Sequence, residues 1–200
     1  MIFERKFDIP EEIKKGVSLS LPSVNDIQDE DLREKVINAW ALSLSINGWN
    51  SLDELPGSGR PNLPTQGNQS QHIECVARMT MAAAKIMEET LDFELIKDKD
   101  LLLASALCHD LGKPYEYAPE NRKRWVDDPT AEGLPCLRHT MYGVYIALLA
   151  GLPDSVAHTS GCHSPEGEFV QRSLNTMLIH MIDESYWQTL STKFGWNLPK

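Results

Sequence analysis

Apolar residues recur at helical spacing along most of the chain. After Asp29, the residues Leu32, Val36 and Leu44 share one side of a predicted helix whose first turn is acidic. The same spacing predicts further helices over residues 70–90, 98–111, 138–150, 153–162 and 168–190. No segment alternates apolar and polar residues with the period of two that indicates a β-strand. The pattern therefore predicts an all-α fold.

Three stretches interrupt the helical pattern. Residues 1–28 contain Pro10 and Pro22 and show no lasting periodicity, which indicates an irregular lead-in. Residues 49–69 are rich in proline and glycine, and this composition predicts a long loop. Residues 112–137 form a third stretch of about 25 residues, longer than an ordinary connection between helices. We therefore expect this third stretch to have a function of its own.

Composition narrows the class of protein. The chain has 200 residues, of which 42% are hydrophobic and 24% are charged, as in an ordinary globular protein. It lacks an apolar run of the roughly 18 residues that cross a membrane, and its first residues lack the apolar region of a signal peptide. We therefore expect a cytoplasmic protein without a membrane partner. The net charge of -10 disfavours binding to a nucleic-acid polymer, which requires a basic surface.

Several predicted helices place a histidine or an aspartate among apolar residues or at a helix end. His72 lies one turn before Val76 on an inward helix face, and His109 and Asp110 follow an apolar run. Taken singly, an inward histidine is more often a hydrogen-bonded core residue than a ligand. A buried polar group without a partner is costly, however, and imidazoles and carboxylates bind first-row divalent metals. The candidates are His72, His109, Asp110, His139, His163 and Asp183.

The segment LCHDLGKP, with the apolar helix before it and the later pair Ile182-Asp183, resembles the HD superfamily of metal-dependent phosphohydrolases. The resemblance extends over residues 70–190 and implies an HD-domain helical bundle there. Residues 1–69 are then an N-terminal extension with an irregular lead-in, one helix and a Pro/Gly-rich loop. Residues 191–200 are a C-terminal tail.

The resemblance also implies a set of metal ligands. The implied ligands of the primary metal are His72, His109, Asp110 and Asp183, and Asp110 is placed to bridge to a second ion. His139 and His163 match the additional histidines of family members with two metals, although Thr140 stands where proline is common. The implied cofactor is one or two divalent ions, and the sequence does not distinguish iron, manganese, zinc and nickel. Cysteines are not expected as ligands, because the four cysteines form no CxxC pair.

The implied reaction is hydrolysis of a small phosphorylated compound, either a nucleotide or a phosphorylated metabolite, by metal-activated water. Asp110 would orient the attacking hydroxide, and Lys113 is the nearest cation for a substrate phosphate. Arg124 and Arg138 are further candidates for substrate binding, and Arg60 is a weaker one. Two of these residues also have a plainer interpretation, since Lys113 suits a helix end and Arg124 lies in a basic cluster beside Asp127 and Asp128.

Two other functions stay open at this point. Di-iron oxygenases of the HD fold resemble this chain in their four-histidine, two-aspartate pattern and would oxygenate a small anionic substrate. A ligand-binding HD domain without turnover is the third possibility, which the complete ligand set disfavours. Two further histidines compete with the candidates: His158 lies five residues before His163, and His180 lies one turn before Asp183. The oligomeric state cannot be predicted from these patterns.

Overall fold

The structure is a computed structural model that describes residues 9–57, 66–128, 130 and 137–196, and this part of the chain is helical. The α-helices within the described ranges are α1 Glu11–Ser20, α2 Glu30–Ile46, α3 Gln69–Leu91, α4 Lys99–Leu107, α5 Lys113–Glu116, α6 Pro119–Asp127, α7 His139–Leu149, α8 Asp154–Cys162 and α9 Leu174–Phe194. The predicted all-α fold is confirmed. Of these helices, none has the length and apolar character that crossing a membrane requires.

Helix α2 begins where its sequence predicts. The Asp29 carboxylate accepts hydrogen bonds from the backbone N–H groups of Asp31 and Leu32, which would otherwise have no partner at the helix start. At the other end, the Asn47 side-chain amide donates to the Ser43 carbonyl over 2.7 Å. The helix therefore carries polar caps at both ends, and its apolar side is free to pack into the core.

The prediction of an irregular lead-in is wrong for Glu11–Ser20, which form α1. Ile13 and Val17, one turn apart, are buried in the core and hold this helix against the rest of the molecule. A single apolar pair is too short a pattern to distinguish a helix from an irregular segment. The sequence therefore did not reveal α1.

The fourth helix is shorter than predicted, because α4 ends at Leu107 instead of continuing to residue 111. Two side chains of α2 bind the carbonyl groups at this point: Trp40 Nε1 donates to Leu107 O over 2.9 Å, and Ser43 Oγ donates to Leu111 O over 2.6 Å. These bonds replace the intrahelical partners that further helical turns would have supplied. The chain is thus free to turn at His109 and Asp110.

The prediction of a loop over residues 112–137 is wrong in part, because α5 and α6 lie within it. Helix α5 is a single turn, and α6 has no buried residue, so neither helix leaves an apolar pattern to read. Gly112 precedes α5 and lies so close to α7 that a Cβ atom there would collide with the His139 carbonyl. Residues 129 and 131–136 lie outside the described part.

Helix α9 begins and ends later than predicted. It starts after Ser173, whose side chain accepts a hydrogen bond from the Thr176 backbone N–H, and it continues to Phe194. The prediction of helix from residue 168 is therefore wrong for residues 168–173, which form turns and loop after a 3₁₀ turn at Pro165–Gly167. The predicted helix end near residue 190 is too early, since α9 ends at Phe194.

The helices pack around one buried apolar core, which includes residues from both sides of the predicted boundary at residue 69. Helix α3 packs on α4 and α9, helix α7 packs on α8, and α2 packs on α4 and α7. The chosen boundaries of the extension, the HD domain and the tail stay predictions. This packing brings the start of α3, the end of α4, the start of α7, the end of α8 and the middle of α9 to one place.

Candidate metal centre

The six predicted donor residues meet at this convergence of helices. His72 lies in α3, Asp183 lies in α9, and His139 opens α7. His109 and Asp110 follow α4, and His163 follows α8. All six side chains are shielded from solvent, and the most accessible of them, Asp183, is 13% exposed.

One group of donors surrounds His72. Its Nε2 lies 3.1 Å from His109 Nε2, 3.4 Å from Asp110 Oδ2 and 3.4 Å from Asp183 Oδ1. Atoms that bind one ion at about 2.0–2.2 Å are themselves roughly 3 to 3.5 Å apart. The spacing of this group therefore fits a divalent ion.

A second group meets the other oxygen of Asp110. His163 Nε2 lies 3.3 Å and His139 Nε2 lies 3.5 Å from Asp110 Oδ1. On the opposite side, Asp110 Oδ2 lies 3.6 Å from His109 Nε2 and accepts a 2.7 Å hydrogen bond from Gln69. Asp110 thus turns one carboxylate oxygen toward each group of imidazoles.

The polar atoms of the cluster are not satisfied by one another. Asp183 Oδ1 is buried and accepts no hydrogen bond within the described residues. The Nε2 atoms of His72 and His109 face each other, where at most one can donate if both rings are neutral. A bound cation would satisfy these lone pairs at once, so the residues present fit the divalent ion that the HD resemblance implies.

Backbone carbonyl groups orient two of the imidazoles. His109 Nδ1 lies 2.7 Å from Ala106 O, and His163 Nδ1 lies 3.2 Å from Thr159 O and 3.1 Å from Ser160 O. A carbonyl oxygen only accepts, so Nδ1 must carry the proton in both rings. The lone pair of each Nε2 therefore faces the cluster, as a metal ligand requires.

The ionisation states of His109 and Asp110 also suit metal binding. Burial lowers the pKa of His109 to about 4, so its ring is neutral at pH 7. Burial alone would raise the pKa of Asp110, but the Lys113 ammonium and the neighbouring imidazoles outweigh it and hold that pKa well below the usual range. The same carboxylate raises the pKa of Lys113 despite its burial. A charged lysine therefore stands beside a charged aspartate.

The structure brings two of the three predicted substrate-binding residues to the cluster. Lys113 Nζ lies 4.0 Å from Asp110 Oδ1, and Arg138 directly precedes the ligand candidate at the start of α7. Arg124 is exposed on α6, and its role stays a prediction. Arg60 lies outside the described residues.

The two competing histidines, His158 and His180, make contacts outside the group of donor atoms. His158 Nε2 accepts a 3.2 Å hydrogen bond from the Ser173 backbone N–H at the start of α9. His180 Nδ1 lies 2.5 Å from the His163 carbonyl, so it contacts the backbone of a donor residue. His163, not His158, is the one that faces Asp110.

Two buried residues of this region were missed by the sequence analysis. Glu116 is 1% accessible and contacts Lys113, Arg138 and His139. The only signal of Glu116 in the sequence was the opposite charge of Lys113, three residues earlier. Such pairs also occur on ordinary helix surfaces. Gln69, which donates to Asp110, falls one residue before the predicted helix start and carried no signal.

Comparison with known proteins agrees with the resemblance. The family model for the HD domain matches residues 70–184. The chain belongs to the HD-domain family. Members of this family bind divalent metals, and the buried histidine and aspartate groups provide the donors for such an ion. The individual ligand assignments stay predictions.

One curated relative is the dihydroneopterin 2',3'-cyclic phosphate phosphodiesterase of Methanocaldococcus jannaschii, which is 33% identical over 96 residues. The match covers 46% of this chain and 38% of the relative, so the chain spans well under half of the relative's length. No solved structure matches the chain.

Proposed function

We propose that this HD-domain protein is a metal-dependent phosphohydrolase that acts on a small phosphorylated compound. The observation that carries the proposal is the position of Asp110, whose two carboxylate oxygens face two adjoining pairs of imidazoles beside the Lys113 ammonium. This arrangement suits two divalent ions that share one carboxylate. The curated relative is a phosphodiesterase, and its reaction belongs to the same class.

The proposed ligands divide between two ions. His72, His109 and Asp183 would hold the first ion with Asp110 Oδ2, and His139 and His163 would hold the second with Asp110 Oδ1. Ions held by these residues would lower the pKa of a bound water molecule and polarise the phosphoryl oxygens.

The protein contributes orientation and charge. Hydrogen bonds to backbone carbonyls keep the Nε2 lone pairs of His109 and His163 directed inward. Lys113 places a positive charge where the phosphate of a substrate would approach Asp110, and Arg138 adds a second cation at the more exposed side. These cations would bind the substrate and stabilise charge that develops on the phosphoryl group.

The proposed substrate is a nucleotide or a phosphorylated metabolite rather than a nucleic-acid polymer. The net charge of -10 repels a long polyanion, whereas two local cations and the ions suffice for one phosphate group. The relative acts on a cyclic phosphate, so small cyclic phosphate diesters belong to the candidate substrates.

Phosphorus-31 NMR of reactions with a panel of substrates tests this function. The panel contains nucleotides, sugar phosphates and 2',3'-cyclic phosphates, each with manganese, zinc, nickel and ferrous iron in turn. We expect at least one phosphate ester to be hydrolysed by the wild type and not by Asp110→Ala. Absence of hydrolysis throughout the panel, with ferrous-dependent oxygen consumption on an anionic substrate, would contradict the proposal and favour the HD-type oxygenase.

A further inference from the structure

Glu116 is a buried carboxylate that the proposed ligand set leaves without a role. Both of its oxygens are engaged. Oε1 lies 2.5 Å from Arg138 Nε and 3.4 Å from the His139 backbone nitrogen. Oε2 lies 3.1 Å from His139 Nδ1, an ion-pair distance whose angle does not meet that of a hydrogen bond, and 3.3 Å from Lys113 Nζ. One carboxylate therefore contacts a proposed metal ligand and both cations proposed to bind the substrate.

The contact with His139 has a consequence for its ring. Arg138 Nε donates a hydrogen bond to Oε1, and the Lys113 ammonium lies 3.3 Å from Oε2, so both oxygens of the Glu116 carboxylate face cationic donors and act as acceptors. An ionised carboxylate cannot donate, so it favours the tautomer of His139 that carries the proton on Nδ1. That tautomer leaves the Nε2 lone pair, 3.5 Å from Asp110 Oδ1, directed toward the second group of donors.

We propose that Glu116 is a positioning residue that fixes the tautomer of His139 for the second ion and holds Lys113 and Arg138 in place. It touches neither the ions nor the substrate itself. The proposal rests on the proposed two-metal centre, because it requires His139 to be a ligand. A partner on the second ring nitrogen is how proteins commonly orient a metal-binding histidine.

Glutamine is the informative substitution at this position, since it keeps the size of the side chain. Its amide has one acceptor oxygen and one NH₂ donor, whereas Glu116 presents an acceptor on both sides. In one rotamer the NH₂ group faces His139 Nδ1 and Lys113, and in the other it faces Arg138. Either orientation sets a donor against a donor. Glu116→Gln therefore disturbs either the contacts with His139 and Lys113 or the contact with Arg138.

Titration of metal-free protein with Mn²⁺ tests the proposal. We expect two ions per wild-type chain, and Glu116→Gln should weaken the second ion about 10–100-fold while the first binds as in the wild type. Glu166→Gln is the matched control, because Glu166 also contacts Arg138, at 3.6 Å, on a different guanidinium nitrogen. That control should retain the affinity of both ions.

The outcomes separate the two proposals. Two ions of unchanged affinity in Glu116→Gln would overturn the role of Glu116 and leave the two-metal centre standing. A single ion in the wild type would overturn the two-metal centre, and the role of Glu116 with it.

The wild type offers a second measurement in case Glu116→Gln does not fold. Long-range ¹H–¹⁵N correlation spectra of the metal-free chain report the tautomer of His139 directly. We expect the proton on Nδ1, and a proton on Nε2 would overturn the proposal.

Discussion

The two groups of donors on either side of Asp110 differ in what surrounds them. The ring of His72 lies between aromatic side chains, with centroid distances of 4.7 Å to Tyr186 and 5.0 Å to Trp187. His139, in the other group, contacts Glu116 and has charged residues as its neighbours. We call these the aromatic side and the charged side of the centre.

The difference indicates that the two sides have different functions. The aromatic side offers no cation for a substrate phosphate within the contacts described above, and aromatic rings pack against its His72. The charged side has Lys113 beside Asp110 and Arg138 next to His139, and the Arg138 side chain is 37% exposed. We therefore expect the aromatic side chiefly to hold an ion and the charged side to receive the substrate as well.

The largest effect is expected from Asp110→Ala, which removes the one residue common to both sides. Loss of both carboxylate oxygens should abolish the activity and release both ions, because each group of donors loses an anionic ligand. Elemental analysis and the phosphate-ester assay measure the two effects. Asp127→Ala, which removes a 57% exposed carboxylate on α6, should leave the metal content unchanged. Stoichiometric metal in Asp110→Ala would contradict the proposal that Asp110 is a ligand common to both sides.

The next effect separates the sides from each other. His139→Ala should reduce the metal content from two ions to one, because the aromatic side keeps its donors. His72→Ala should weaken the binding of the ion on the aromatic side. It should impair activity as severely as His139→Ala does. Metal content after exhaustive dialysis, measured for both variants, checks this. Equal loss of both ions in His139→Ala would show that the two groups of donors are not separable.

Lys113→Ala tests the charged side by itself. Because Lys113 is proposed to contact the substrate phosphate and is not a ligand, the substitution should lower kcat/KM about 10–100-fold, which corresponds to roughly 1.4–2.8 kcal/mol of transition-state stabilisation. The metal content should stay at the wild-type value. Steady-state kinetics with the best substrate, beside elemental analysis, distinguish this from a general loss of structure. An unchanged kcat/KM would assign Lys113 only a structural role.

The last expected effect is that of metal removal on the stability of the fold. Ligands that bind only the folded state stabilise it by about 2.7 kcal/mol when present at 100 times their Kd. For a chain of this size, such a loss should lower the Tm by about 5–10 °C after chelation. Thermal unfolding followed by circular dichroism measures the shift. In Asp110→Ala the shift should disappear, and a persistent shift there would point to metal binding elsewhere.

The sequence was most informative where burial leaves a periodic pattern. The apolar stripe around His72 predicted its helix and its inward direction, and the apolar run before His109 predicted the helix that precedes it. Asp183 stood out for the same reason, as a carboxylate within an apolar helix. The family match over residues 70–184 confirms the resemblance that these residues carried.

The sequence was least informative where long-range contacts decide the structure. The end of α4 depends on Trp40 and Ser43, which lie 67 and 68 residues away from the carbonyl groups that they bind. The burial of Glu116 depends on the approach of α7 to α5, which the close contact at Gly112 permits. Such pairings are set by tertiary packing, and no local pattern of residues predicts them.

We propose that Asp110 bridges two ions, and anomalous diffraction from crystals grown with Mn²⁺ would locate both. We expect two anomalous peaks about 3.5–4 Å apart, one on each side of the Asp110 carboxylate. His72, His109 and Asp183 should surround one peak, and His139 and His163 should surround the other. A single peak, or peaks that do not contact Asp110, would contradict the account.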